Sequence, residues 1–170
     1  ALAGVYSHTS TGNERDFLSY IATFFEKSDN VFTIAGEIRE SFIDGKNPAV
    51  NSIIEQMWAS CYNRITKANY FIANVDKVNM DEAERNEMKA EARFIRAVYY
   101  FYLTTHWGDV PLVTNMLKLS EANSIARTPK DEIVEFAIGE LTEAASHLPA
   151  TRPPAEFGRV VKSAALAFKG

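Results

Sequence analysis

The chain has 170 residues, of which 46% are hydrophobic and 24% charged, and its 18 basic and 22 acidic side chains give a net charge of −4. These values are typical of one globular domain and exclude a disordered or collagen-like chain. The absence of a dense basic stripe argues against nucleic-acid binding. A single cysteine, Cys61, excludes an internal disulfide and a cysteine-based zinc site. No run of about 18 apolar residues is present to span a bilayer.

The first half of the chain predicts two helices separated by a long connection. From about 13 to 27, four apolar residues share one face at helical spacing: Phe17, Ile21, Phe24 and Phe25. Segment 28–50 contains turn signals and no clear period, which predicts a connection. From Asn51 to Val75, apolar residues spaced alternately four and three apart predict one long packed helix.

The second half predicts three more helices. One begins near Asn79 or Asp81, either of which can cap it, and ends at Trp107 before a connection over 108–127. The next starts at Thr128-Pro129, with Thr128 as the N-cap, and ends at Leu148-Pro149. A last helix is predicted over 160–168. Since no strand alternation is present, the sequence predicts an all-α fold of antiparallel helix pairs in a tetratricopeptide-like array.

Most chemistry-bearing side chains have an ordinary structural explanation. Aromatic residues inside periodic rows are assigned to the core: Trp58, Phe94, Tyr99 and Phe101. The acidic run Asp81, Glu82, Glu84, Glu87 and Glu91 could supply the paired carboxylates of a glycosidase, but a solvated helix face is the favoured interpretation. Arg93 and Arg96 are interpreted as structural partners of helix ends or acidic neighbours.

No metal, cofactor or catalytic site is expected. The histidines His8, His106 and His147 are far apart, and none has a second ligand at i+3 or i+4. The sequence also lacks a glycine-rich phosphate loop and a nucleophile motif.

An ordered series of motifs carries a family resemblance. The series is Trp58-x3-Tyr62-x2-Ile65-x3-Asn69, Ala90-Glu91-Ala92-Arg93-Phe94-Ile95-Arg96-Ala97-x2-Tyr100, Trp107-Gly108-Asp109-Val110-Pro111-Leu112, Arg127-Thr128, Glu140-Leu141-x2-Ala144, Leu148-Pro149 and Gly158-Arg159-x2-Lys162-x-Ala164-Ala165. It resembles the SusD/RagB family, whose members are glycan-binding surface lipoproteins of the Bacteroidetes.

The resemblance implies a function and a setting for the chain. It implies one domain over 1–170, the N-terminal tetratricopeptide-like part of a longer protein without catalytic activity. The implied ligand is an oligosaccharide or polysaccharide, and the implied partner is a TonB-dependent, SusC-like transporter in the outer membrane. Members carry an acylated N-terminal cysteine, which these 170 residues lack, since Cys61 lies within a predicted helix.

Sugar binding requires an exposed aromatic ring and planar polar groups. The non-periodic segment before Trp58 offers both, so the candidate ligand residues are Phe32, Arg39, Phe42, Asp44 and Asn47. In the family, loops before this helix help to form the binding face. A solvated loop whose two Phe side chains pack back on the helices is an equally open interpretation. Two other functions also stay open, a tetratricopeptide-like module that binds a protein or peptide and a glycosidase fragment.

Overall fold

The computed structural model describes residues 2–6, 52–122 and 124–170. The helices in these ranges are α1 (Leu2–Tyr6), α2 (Ser52–Asn74), α3 (Glu82–Trp107), α4 (Leu119–Ala122), α5 (Lys130–His147) and α6 (Lys162–Lys169), with 3₁₀ turns at Val75–Lys77 and Pro154–Glu156. The described ranges contain no β-strand, which confirms the all-α prediction. The helix predicted over 13–27 and the connection over 28–50 lie outside them.

The chain divides into two compact units, Ala1–Ser7 with Asn63–Gly170, and His8–Tyr62. The described part of the second unit is 52–62, which forms the first half of α2. There Met57 and Cys61 are buried. The rings of Trp58 and Tyr62, one helical turn apart, lie with their centroids 5.0 Å apart.

Helix α3 has the predicted ends. The carboxylate of Asp81 accepts hydrogen bonds from the backbone N–H groups of Ala83 and Glu84 at 2.9 and 3.1 Å, which makes Asp81 the N-cap. At the other end, Gly108 has a φ of +67°, a conformation that side chains disfavour, and its N–H donates to the carbonyl of Thr104. Both boundaries therefore follow from local chemistry.

Helices α3 and α5 pack against each other in antiparallel order. Arg96 pairs with Glu140, and one turn later Tyr100 stacks edge-on against Phe136 with ring centroids 5.6 Å apart. The core around this contact is rich in alanine: Ala90, Ala97, Ala137, Leu141, Ala144, Ala145, Leu148 and Ala165. Small side chains let the helix backbones approach closely, so the charged pair is enclosed by packed helices.

The start of α5 differs from its prediction. Thr128 is not the N-cap, because its backbone forms a bridge in which its N–H donates to the carbonyl of Val110 at 3.0 Å. The helix begins at Lys130, whose backbone N–H donates to the carboxylate of Asp109 at 2.9 Å. A carboxylate is favourable at this positive end of the helix dipole. The connection over 108–127 also contains the short helix α4, which was not predicted.

The hydroxyl of Tyr100 fixes the connection that follows α3. It donates to the carbonyl of Val113 at 2.9 Å and accepts from the N–H of the same residue at 2.7 Å. The side-chain amide of Asn69 donates to the same carbonyl at 2.9 Å. One residue of the connection is therefore bound to both α2 and α3, and burial raises the pKa of Tyr100 to about 12.

This raised pKa predicts alkaline sensitivity. A phenol that is harder to ionise in the folded state contributes stability that is present below its ordinary pKa of 10.0 and lost as the pH rises toward about 12. We expect the free energy of unfolding to fall over this range, and to fall less steeply in Tyr100→Phe. The variant should also lose about 1–3 kcal/mol at neutral pH, because the N–H of Val113 loses its acceptor and its carbonyl keeps only the bond from Asn69. Urea unfolding from pH 8 to 12 measures both effects, and parallel curves would contradict the assignment.

Candidate functional site

The five predicted ligand residues belong to the segment that precedes α2. Phe32, Arg39, Phe42, Asp44 and Asn47 all lie outside the described residues. Their assignment to a sugar-binding loop stays a prediction. The described residues instead form two buried ionic clusters, a loop with one exposed aromatic ring, and two apolar surfaces.

The first ionic cluster joins α3 to α5. Arg96 donates to one carboxylate oxygen of Glu140 from Nε at 2.8 Å and from Nη2 at 2.5 Å, and both side chains are 6% exposed. Arg93 donates to the other oxygen at 2.6 Å. The remaining nitrogen of Arg96 donates to the side-chain oxygen of Asn69 at 2.7 Å and to the carbonyl of Thr114 at 3.3 Å. This confirms that Arg93 and Arg96 are structural partners of an acidic side chain.

The second ionic cluster surrounds Glu91, which is completely buried. Its carboxylate accepts from the hydroxyl of Tyr6, from Nη2 of Arg152 at 3.0 Å and from Nη2 of Arg159 at 2.5 Å. The same two arginines contact Glu87, at 3.4 Å for Arg159. The prediction of a solvated acidic face is therefore wrong at Glu91, because two arginines far along the chain fold over it.

The cluster also changes the acidity of its neighbours. Burial and the bond to Glu91 raise the pKa of the Tyr6 hydroxyl. Hydrogen bonding to Glu91 raises the pKa of Arg159. Both raised pKa values are expected where a neutral phenol and a guanidinium cation donate hydrogen bonds to the same carboxylate.

These clusters have a structural character. Glu91 and Glu140 are the buried carboxylates of the described residues. Glu140 accepts hydrogen bonds from arginines on both of its oxygens, and Glu91 lies between two guanidinium groups. Neither carboxylate is therefore free to act as a general base. Across the described ranges, no three His, Cys, Asp or Glu side chains are placed to bind a metal ion. In the same ranges, no helix combines the length and apolar character needed to cross a membrane.

A loop carries an exposed aromatic ring that sequence reasoning missed. Phe157 is 95% exposed and precedes Gly158, which has a φ of +93°. Arg152 fixes the loop by donating from Nε to the carbonyl of Val160 at 3.1 Å, and its bond to Glu156 lowers the pKa of that carboxyl. An exposed ring on a fixed loop can stack on the apolar face of a sugar. The available signal was a non-periodic Phe between a Pro-Pro pair and a Gly.

An apolar groove of about 850 Å³ lies in the first compact unit. Its lining residues are Leu2, Ala3, Gly4, Val5, Thr66, Lys67, Tyr70, Phe71, Asn74, Val75, Val78, Met80, Met88 and Met116. Few of these side chains could hydrogen-bond to sugar hydroxyls, and three of them are flexible methionines. Such a surface suits an apolar peptide face better than a glycan.

A second apolar surface lies where Phe168 of α6 meets α3. Phe168 contacts Phe94 and Phe101 edge-on, with ring centroids 5.6 and 6.3 Å apart. Phe101 is 46% exposed, so its assignment to the core is wrong: no neighbour among the described residues covers its outer side. Tyr99 is buried, as predicted, and Phe94 is partly buried against the α3–α5 core.

Comparison with known proteins finds SusD-like proteins at the level of family model, sequence and solved structure. A SusD-like family model described as "starch-binding associating with outer membrane" matches residues 3–169. A SusD-like protein of Formosa agariphila, P25, is 34% identical over 113 residues, which are 66% of this chain and 21% of that protein. A solved SusD-like carbohydrate-binding protein of Bacteroides fragilis is 39% identical, with a TM-score of 0.69 over 74% of this chain and 25% of that one.

A solved laminarin-binding SusD-like protein is also similar, at 32% identity and a TM-score of 0.64 over 65% of this chain and 24% of that one. The chain spans about a fifth of the length of the curated relatives it matches. Because the family model matches almost every residue, and relatives share both sequence and fold with it, the chain belongs to the SusD-like (SusD/RagB) family.

Proposed function

We propose that the chain belongs to a non-catalytic protein that binds oligosaccharides at the cell surface, as part of an outer-membrane nutrient uptake system. The family match over residues 3–169 carries this proposal, since its description names both starch binding and the outer membrane. Two similar solved structures are those of a carbohydrate-binding and a laminarin-binding SusD-like protein. The partner in this proposal is a TonB-dependent, SusC-like transporter that receives the captured glycan.

The proposed mechanism is capture without bond cleavage. Phe32 and Phe42 would stack on sugar rings, while Arg39, Asp44 and Asn47 would hydrogen-bond to hydroxyls. The exposed ring of Phe157 is a further stacking candidate. In support of a binding role without catalysis, both buried carboxylates of the described helices are neutralised by arginines.

The glycan proposal is tested by titrating the whole native protein with laminarin oligosaccharides and with maltooligosaccharides in a calorimeter. We expect binding of one of these glycans, and a loss of affinity of about tenfold or more in Phe42→Ala and Arg39→Ala, equivalent to about 1.4 kcal/mol. Phe157→Ala tests the additional ring in the same way. The surface control is Tyr70→Ala, which removes an aromatic side chain that is 59% exposed in the apolar groove.

The control also separates the competing functions. Unchanged sugar affinity in Tyr70→Ala, beside a loss in Phe42→Ala, would agree with the proposal. Absence of glycan binding by the whole native protein would contradict it. Release of new reducing ends from either glycan would instead indicate a glycosidase.

A second candidate function is that of a tetratricopeptide-like module that binds a protein or peptide, and the apolar groove favours it. This function predicts tight binding to a protein partner that is insensitive to added glycan. Tyr70→Ala should weaken that binding, because it removes part of the groove wall. Protein binding by the native protein without any calorimetric response to either glycan would favour this second function, whereas a glycan response that is lost in Phe42→Ala would favour the first.

A further inference from the structure

The apolar groove of the first compact unit has the dimensions of a site for a small ligand. Its volume of about 850 Å³ lies within the range of about 300–1,000 Å³ that is typical of ligand pockets, which are lined mainly by apolar side chains. Fourteen described residues line the groove. A stable contact between two proteins needs about 20–30 residues on each side. By size, the groove suits a bound molecule better than the face of a second protein.

One wall of the groove is fixed by hydrogen bonds that lie outside it. This wall is helix α1, in which Val5 is buried and its carbonyl accepts from Nη1 of Arg64 at 3.5 Å. The hydroxyl of Tyr6 donates to Glu91 and accepts from the backbone N–H of Val160 at 3.2 Å. The wall is therefore preformed, which lowers the cost of ordering the site when a ligand binds.

The groove has one charged side chain among its described lining residues, that of the half-buried Lys67. Lysines of the neighbouring segments have polar partners. Lys77 donates to Asn74 at 2.8 Å, and Lys89 pairs with Asp76 at 2.6 Å. Within the described ranges, no side chain gives Lys67 such a partner. An ammonium group in an apolar lining is complementary to a ligand that has one anionic group and a long apolar part.

The rest of the lining favours a hydrocarbon chain over a peptide. Three flexible methionines can adapt to a chain of variable shape: Met80, Met88 and Met116. The amide of Asn74 is already used, since it donates to the carbonyl of Tyr70 at 2.8 Å and its oxygen accepts a further hydrogen bond. An extended peptide would need partners for its backbone N–H and C=O groups, and few described lining side chains could supply them. A hydrocarbon chain needs no such partners.

The volume of the groove distinguishes one hydrocarbon chain from two. A methylene group occupies about 30 Å³, close to the share of one water in the liquid, so a chain of about 16 carbons needs about 480 Å³ and two such chains need about 960 Å³. The groove has room for one of them. We propose that the groove binds a free long-chain fatty acid, with its hydrocarbon chain against the methionines and its carboxylate paired with Lys67.

The test uses the whole native protein and a fluorescent fatty-acid analogue, dansyl-labelled undecanoate, which palmitate should displace below its critical micelle concentration. Laurate has four fewer methylenes and should bind at least about tenfold more weakly, since each buried methylene contributes up to about fourfold, equivalent to about 0.8 kcal/mol. Laminarin oligosaccharides should not displace the analogue. Failure of palmitate to bind, equal affinities for the two acids, or displacement by the glycan would overturn the proposal.

Two variants test whether the fatty acid lies in the groove. Lys67→Met keeps the apolar stem and removes the charge, so it should weaken palmitate binding about fivefold and affect uncharged methyl palmitate much less. Gly4→Leu adds a side chain to the groove wall, where its Cβ would meet no atom within 4 Å. Leucine also favours the helix, so this variant should fold and bind both ligands about tenfold more weakly. The control is Lys130→Met, which changes an exposed lysine of α5 and should have no effect.

The variants also identify the competing ligands. Unchanged palmitate affinity in both Lys67→Met and Gly4→Leu would place the fatty acid elsewhere, and an equal loss in Lys130→Met would indicate general attraction to surface lysines. Either result would overturn the proposal. Binding to phosphatidylcholine vesicles with no response to palmitate would indicate a membrane lipid instead. Binding of a protein partner that is weakened by Tyr70→Ala, again with no response to palmitate, would assign the groove to a peptide.

Discussion

Replacing Glu91 by glutamine is expected to destabilise the chain by about 3–5 kcal/mol. The carboxylate is completely buried and lies against the guanidinium groups of Arg152 and Arg159, each of which is mostly buried. Glutamine replaces one carboxylate oxygen by an amide N–H donor that would face guanidinium donors at the buried centre, and the arginines would keep only the less buried carboxylates Glu87 and Glu156. The loss should appear as a lower midpoint in urea unfolding followed by circular dichroism, because the cluster joins α1, α3 and the loop before α6.

The matched control for this prediction is Glu84→Gln, an exposed residue of the same helix. It should change the free energy of unfolding by less than about 0.5 kcal/mol. A cycle that combines Glu91→Gln with Arg159→Met should show strong coupling, since the two side chains share a direct bond. A loss below about 1 kcal/mol in Glu91→Gln would contradict the central role of this carboxylate.

Local sequence patterns predicted the helices because the causes of helix formation lie close together in the chain. The N-cap of α3 depends on Asp81 and the next three residues, and its end depends on the φ of Gly108. The apolar spacing from Asn51 likewise predicted α2, which spans Ser52–Asn74. The class of fold followed from these elements and from the absence of strand alternation.

Contacts between distant segments could not be read from local spacing. Glu91 looked like one member of an acidic helix face, but its partners lie 61 and 68 residues further along the chain. The N-terminal residue of α5 is capped by a carboxylate 21 residues earlier, which displaced Thr128 from its predicted role. Phe101 shows the opposite error, because periodicity indicates an apolar face without identifying which neighbour covers it.

The candidate site depended on the family resemblance more than on any local pattern. Phe157 satisfies the physical requirement for a stacking ring, yet its exposure is decided by the arginines that fix its loop. Phe32 and Phe42 were chosen for the same chemistry in a non-periodic segment. A single sequence shows which aromatic residues lie outside the periodic apolar rows, but whether their side chains are exposed depends on the tertiary fold.

The buried pair of Arg96 and Glu140, between α3 and α5, gives the second prediction with a large expected effect on stability. Glu140→Gln should cost about 3–5 kcal/mol, because Arg96 would remain 6% exposed without its carboxylate. Arg93 is less affected, since its side chain is 32% exposed and can turn toward water. Urea unfolding measures the loss, and Glu135→Gln, an exposed residue of the same helix, is the control.

Replacing both partners separates the cost of an unpaired charge from the value of the pair. The double variant Arg96→Met with Glu140→Leu removes both buried charges and keeps apolar volume, so it should lose less stability than Glu140→Gln alone. Some loss should remain, since the side chain of Asn69 and the carbonyl of Thr114 each lose a donor. If the double variant is instead the less stable of the two, the pair itself contributes net stability to the contact between α3 and α5.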